Sequence, residues 1–102
     1  MSRNVIIIDD NQFAIEGILS QINWPSLNAE IKGTFNDGYS AIEYAQSHDI
    51  DLVISDIEMP GISGIELCSR LIQIKPDIRM ILISAFDKFD YAKKGSIIFG
   101  VG

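Results

Sequence analysis

Three carboxylates and one hydroxyl stand where short apolar runs end. Val5-Ile6-Ile7-Ile8 leads into Asp9-Asp10, Leu52-Val53-Ile54-Ser55 into Asp56, and Met80-Ile81-Leu82-Ile83 into Ser84. If the runs are neighbouring parallel strands, these side chains converge at one edge of a sheet. That edge, outside the carboxyl ends of the strands, is where open α/β sheets bind ligands. Carboxylates gathered there repel one another unless protons or a cation intervene. Hard oxygen ligands, with room left for water and a phosphate oxygen, suit Mg2+. A carboxylate is also a nucleophile towards phosphorus and forms an aspartyl-phosphate. Phosphoryl transfer asks chiefly for positioning and charge neutralisation. Asp56, alone at the end of the middle run, suits the nucleophile. Asp9 and Asp10 suit metal coordination, directly or through water. Ser84 can donate its hydroxyl to a phosphate oxygen.

Each residue also has an ordinary structural role open to it. A lone Asp after a strand is commonly a turn or cap residue, and Asp10 or Asn11 could cap the helix that follows. The weight lies in the set, since all three buried runs end in an oxygen side chain. The loop Ile57-Glu58-Met59-Pro60-Gly61-Ile62-Ser63-Gly64 adds to it. Pro60 and Gly61 mark a tight loop, and Gly64 stands where a helix begins. Glu58 is placed to offer its main-chain carbonyl to the metal, or else is an exposed loop acid.

The elements that must position these groups follow from hydrophobic periodicity. Continuous β-branched runs fit strands buried on both faces, as in a parallel sheet. Ala29 to Phe35 alternates and predicts a more exposed, edge-like strand. Ile15, Ile18, Leu19 and Ile22 follow one face of a helix stopped by Pro25. Ala41, Ile42, Tyr44 and Ala45 predict a second helix, with Asn36-Asp37-Gly38 as the turn before it and Ser40 as its cap. Ile65, Leu67, Cys68, Leu71, Ile72 and Ile74 predict a third, ended by Lys75-Pro76-Asp77. A fourth is predicted from Lys88 or Phe89 towards Phe99. Strand and helix alternate four times, which predicts right-handed crossovers and a parallel sheet with helices on both sides. His48 has no metal-ligand spacing around it, and Trp24 reads as packing at a helix end.

Composition narrows the function classes. The chain has 102 residues, enough for one domain, and 47% are hydrophobic, enough for a core. With 14 acidic against 8 basic side chains, the formal net charge is -6. That balance argues against this segment gripping a nucleic-acid backbone, which calls for clustered Lys and Arg. Cys68 is the only cysteine, so no internal disulfide can form, in keeping with a reducing cytosol. The first apolar stretch is too short for a signal peptide or a membrane span, and the expected location is cytoplasmic.

These residues resemble the receiver domain of two-component response regulators. The matching features are Asp9-Asp10 after the first strand, Asp56 with Met59-Pro60-Gly61 and Gly64 behind it, and Ser84-Ala85 after the fourth. The resemblance covers essentially the whole chain. It implies a flavodoxin-like doubly wound parallel sheet in the order 2-1-3-4-5. It further implies that Asp56 takes a phosphoryl group from a sensor histidine kinase, and that Asp9, Asp10, Asp56 and the main chain of Glu58 hold Mg2+. Ser84 would move to bind the phosphoryl group and repack the neighbouring face, a two-state switch. The domain would not itself be an enzyme with a separate substrate. More narrowly, Ser84 to Lys94 is similar to receivers joined to AraC-type helix-turn-helix domains. That implies a transcription factor whose DNA-binding part lies beyond residue 102.

One departure stands out. Receivers run to roughly 120 residues, with a fifth strand and helix that supply a switch aromatic and a phosphoryl-pairing Lys. The sequence stops at Phe99-Gly100-Val101-Gly102, so residues 1-102 are expected to form a receiver truncated at its C-terminal end, without that strand and helix. An open sheet edge would then favour a homodimer or a poorly stable chain. Two other classes compete. A haloacid-dehalogenase-type phosphatase also uses an aspartyl-phosphate, and Asp56-x-Glu58 loosely imitates its paired acids. That family, however, places the nucleophile after the first strand. A receiver-like module working by contact alone would not call for Asp9, Asp10, Asp56 and Ser84 together.

Overall fold

Four strands carry the apolar runs: β1 (Arg3–Ile8), β2 (Ala29–Phe35), β3 (Leu52–Asp56) and β4 (Arg79–Ile83). Three helices join them: α1 (Gln12–Gln21), α2 (Gly38–Ala45) and α3 (Gly64–Ile74). This computed structural model describes residues 2–83 and the strand 97–100. The four strands are parallel in the order β2-β1-β3-β4. Both faces of the central strands are buried because successive side chains point to opposite sides. Ile6 and Ile8, with Val53, Met80 and Leu82, pack towards Ala41, Ala45, Leu67 and Leu71 of α2 and α3. Val5, Ile7 and Ile54 pack with Ile15 of α1 and with Trp24 on the other face. The runs are therefore apolar throughout, as predicted for strands covered on two sides. β2 alternates half-buried and exposed along its length, as an edge strand should.

Register carries the runs to a common end. Ile8 lies opposite Ser55, so Asp9 and Asp56 follow at the same level of the sheet. Asp56 in turn lies opposite Ile83.

Helix starts follow short polar side chains. Asn11 caps α1, its side chain accepting from the Phe13 N–H at 2.9 Å. α2 is capped by Asp37 rather than Ser40. Asp37 is extended and Ser40 lies inside the helix, so the Ser40 N–H donates to Asp37 Oδ1 at 2.8 Å and the Ser40 hydroxyl to Oδ2 at 3.0 Å. Those bonds hold the Asp37 carboxyl below its ordinary range. A lowered carboxyl stabilises the fold above its unfolded pKa, and the contribution disappears as pH falls through the folded value. Asp37→Ala is expected to cost about 1 kcal/mol at pH 7 and nothing in strong acid. Paired thermal melts at the two pH values would check this.

Two expectations concern the far end of the chain. Lys88 and most of the predicted fourth helix lie outside the described residues. Its last residues do not continue a helix: Ile97–Gly100 form β5, antiparallel to β4, with Ile83 opposite Ile97 and Met80 opposite Gly100. β-branched and aromatic residues prefer a pleated strand, and the β4 edge offers unpaired backbone groups to it. A parallel fifth strand is not among the described elements. No helix among the described residues is long and apolar enough to cross a membrane.

Candidate functional site

The acidic site is assembled from the ends of β1 and β3. Asp9 is held in place through its backbone, because its N–H donates to Phe35 O at 3.0 Å. The Asn36 side-chain amide donates to Asp9 O at 3.1 Å. Asp9 Oδ1 accepts from the Asn11 N–H at 2.9 Å, so the residue that caps α1 also orients the carboxylate. Asp56 Oδ1 receives the Glu58 N–H at a longer 3.4 Å. On the buried side of the strand, the Ser55 hydroxyl donates to Asp56 O at 3.0 Å.

Gly61 and Gly64 shape the loop behind Asp56. Gly61 has φ of +86°, a left-handed conformation that suits glycine. Gly64 begins α3 directly against β3. A Cβ there would overlap Asp56 O and stand 3.0 Å from the Ile57 Cα. The Gly64 N–H donates to Ile57 O at 2.7 Å and ties helix to strand.

Asp9, Asp10 and Asp56 each bring an oxygen to within 4.8 Å of the others. Asp9 and Asp56 are only 7% and 5% exposed, whereas Asp10 faces solvent. Burial pushes the Asp9 carboxyl up from 3.8 to about 6. The Asn11 N–H works against that rise, and the charges of Asp56 and Asp10 add to it. Burial likewise raises Asp56, offset by the Glu58 N–H and reinforced by the Asp10 charge. Both carboxyls are thus destabilised as anions by the same surroundings. A divalent cation among them would reverse the sign of that interaction. Three hard carboxylate donors with one side open fit Mg2+, which keeps waters in its shell.

Of the residues singled out in the sequence, the fold brings together Asp9, Asp10 and Asp56. Glu58 lies on the adjoining loop with its N–H turned to Asp56 and its side chain exposed. Ser84 lies outside the described residues, directly after Ile83. Asn36, Ser55 and the close approach of Gly64 to Asp56 were not legible as site features. Asn36 read as a turn residue, and a Ser inside an apolar run gave no sign of which carbonyl it would reach. His48 stacks on Tyr44 with ring centroids 3.9 Å apart, and Trp24 is buried, its Nε1–H donating to Leu19 O at 3.3 Å. Trp24 has the packing role expected of it.

Comparison with known proteins agrees with this fold. The family model of the response regulator receiver domain matches residues 5–98. The chain is 32% identical over 90 residues to the transcriptional regulatory protein YesN of Bacillus subtilis, covering 88% of this chain and 24% of YesN. Among solved structures it is similar to the REC domain of AraT, a response regulator from Geobacillus stearothermophilus. The TM-score there is 0.80 at 34% identity, covering 92% of this chain and 73% of that one. It is also similar to a chain of the CheX-CheY-BeF3-Mg+2 complex from Borrelia burgdorferi. In that case the TM-score is 0.72 at 32% identity, covering 89% and 68%. The chain spans only about a quarter of YesN. A matching family model over nearly the whole chain, a parallel sheet in the order 2-1-3-4 and an acidic cluster at its carboxyl edge lead to one conclusion: the chain belongs to the receiver domain family of response regulators.

Proposed function

We propose that Asp56 is the phosphoacceptor of this receiver and that Asp9, Asp10, Asp56 and the Glu58 carbonyl hold Mg2+ beside it. The observation that carries the proposal is the meeting of three carboxylates within 4.8 Å at the end of two adjacent buried strands. The Mg2+ and BeF3 in the related CheY complex support the same reading. In the transfer, an Asp56 carboxylate oxygen attacks phosphorus. The bond from phosphorus to the donor breaks, and its electron pair leaves with the imidazole nitrogen of a phosphohistidine, or with acetate when acetyl phosphate is the donor. Bound Mg2+ supplies charge neutralisation for the phosphoryl oxygens. The Glu58 N–H keeps one Asp56 oxygen directed, and the Asn11 N–H does the same for Asp9. Ser84 contacts the phosphoryl group with its hydroxyl.

The donor is a sensor histidine kinase in the cytoplasm. The output is a DNA-binding domain beyond residue 102, in keeping with the transcriptional regulator YesN. A homodimer is the third partner state. Residues 1-102 then act as the regulatory part of a larger protein, not as an enzyme with its own substrate.

Labelling with acetyl phosphate tests the proposal. The expected result is about one phosphate per chain, lost on chelation of Mg2+. Steady turnover of small phosphomonoesters would instead place the chain with phosphatases. Labelling that is indifferent to Mg2+ would count against the metal site.

A further inference from the structure

We infer that Ser55 and Gly64 are positioning residues for Asp56, acting together on its main-chain carbonyl. The inference rests on the phosphoacceptor reading above. Ser55 has no exposed surface, although the residues before it in β3 are Leu, Val and Ile. A hydroxyl buried among such side chains is costly unless it is bonded. Its partner is Asp56 O at 3.0 Å. The bare Cα of Gly64 lies next to the same oxygen, where a Cβ would overlap it and stand 3.0 Å from the Asp56 carbonyl carbon. The next peptide is held as well. The Ile57 N–H donates to Ile83 O at 3.0 Å, and Ile57 O accepts from the Gly64 N–H at 2.7 Å.

The physical consequence lies in the direction of the Asp56 side chain. Swinging its carbonyl changes the backbone torsion at Asp56 and re-aims the carboxylate that projects from it. Attack on phosphorus requires the nucleophile in line with the bond that breaks, and a displacement near 1 Å can cost about 10²-fold in rate. A carbonyl clamped by a buried hydroxyl and a glycine contact cannot swing freely. Neither residue touches the reacting atoms, so the expected signature is a loss of rate without a loss of donor binding.

The test follows Mg2+-dependent labelling at increasing acetyl phosphate concentration. The parent is compared with Ser55→Ala, Gly64→Ala and the double variant. Ser55→Ala deletes one oxygen and is expected to lower the limiting rate roughly tenfold, with the half-saturating concentration unchanged. Gly64→Ala is expected to lower it further, on the order of 10²-fold. Because both act on one carbonyl, the double variant should be little worse than Gly64→Ala alone. Thermal melts run alongside; if Gly64→Ala fails to fold, Ser55→Ala decides by itself. A Ser55→Ala rate equal to the parent's would overturn the inference. So would a loss seen only in the half-saturating concentration, or single losses that multiply in the double variant. A parent that takes up no phosphate overturns the phosphoacceptor reading itself. A labelled parent with an unaffected Ser55→Ala overturns only the positioning role.

Discussion

Asp56→Asn is expected to reduce phosphate incorporation to background, a loss of about 10³-fold or more, while leaving the domain folded. The amide nitrogen and oxygen of Asn are poor nucleophiles, and the Asn side chain has almost the same shape as Asp. Its carbonyl oxygen can still accept the Glu58 N–H now bonded to Asp56 Oδ1. The substitution also removes one charge from a cluster in which burial and the Asp10 charge already raise the carboxyl of Asp56. The variant should therefore melt no lower than the parent. Labelling by mass measurement and thermal melting on the same samples separate the two effects. Incorporation unchanged by the substitution would falsify the assignment. Unfolding of the variant would show that Asp56 acts chiefly in structure.

The second large effect concerns Asp9. A carboxyl raised from 3.8 to about 6 binds its proton more tightly in the folded state than in the unfolded one. Its contribution to stability is fully present below the unfolded value and is lost as pH rises through about 6. At pH 7 the ionised group costs the fold on the order of 2–3 kcal/mol. Asp9→Asn abolishes that cost while its side-chain oxygen can still accept the Asn11 N–H. The variant is expected to be more stable than the parent by about 1–3 kcal/mol at pH 7 without metal, and equal to it near pH 3.5. The same substitution removes a metal donor, so Mg2+ should stabilise the parent and not the variant. In the parent, Mg2+ affinity should weaken as pH falls below about 6, because protons compete for Asp9. Thermal melts over pH 3.5 to 8, with and without Mg2+, test all of this. An Asp9→Asn variant less stable than the parent at pH 7 would sink the account.

In both predictions function and stability move in opposite directions, for a reason common to binding sites. The groups that make the pocket useful are the groups the fold would be more stable without. A site built from repelling, buried carboxylates is stabilised when a cation binds. Folding stability and ligand binding are thereby linked through Asp9 and Asp56.

The sequence by itself determined the sheet and the location of the site. Runs such as Val5 to Ile8 and Leu52 to Ile54 are apolar at every position because both faces of their strands are covered. That pattern needs no knowledge of partners. The polar residue after each run then has to lie at the carboxyl edge, which is why Asp9, Asp10 and Asp56 were legible together. Local signals were less decisive where two candidates stood close. Asp37 and Ser40 are both good cap residues, and only the backbone showed which one precedes the first helical residue. β5 was read as the end of a helix because Ile97, Ile98 and Phe99 suit either element, and the neighbouring β4 edge settled it. Tertiary structure alone decided what surrounds Asp56. Register set its oxygens within reach of Asp9 and Asp10, burial raised its carboxyl, and the approach of α3 put Gly64 against its carbonyl. Those are distances between residues far apart in the chain or on separate elements. No spacing along a sequence can state them, because they arise only when strands and helices pack.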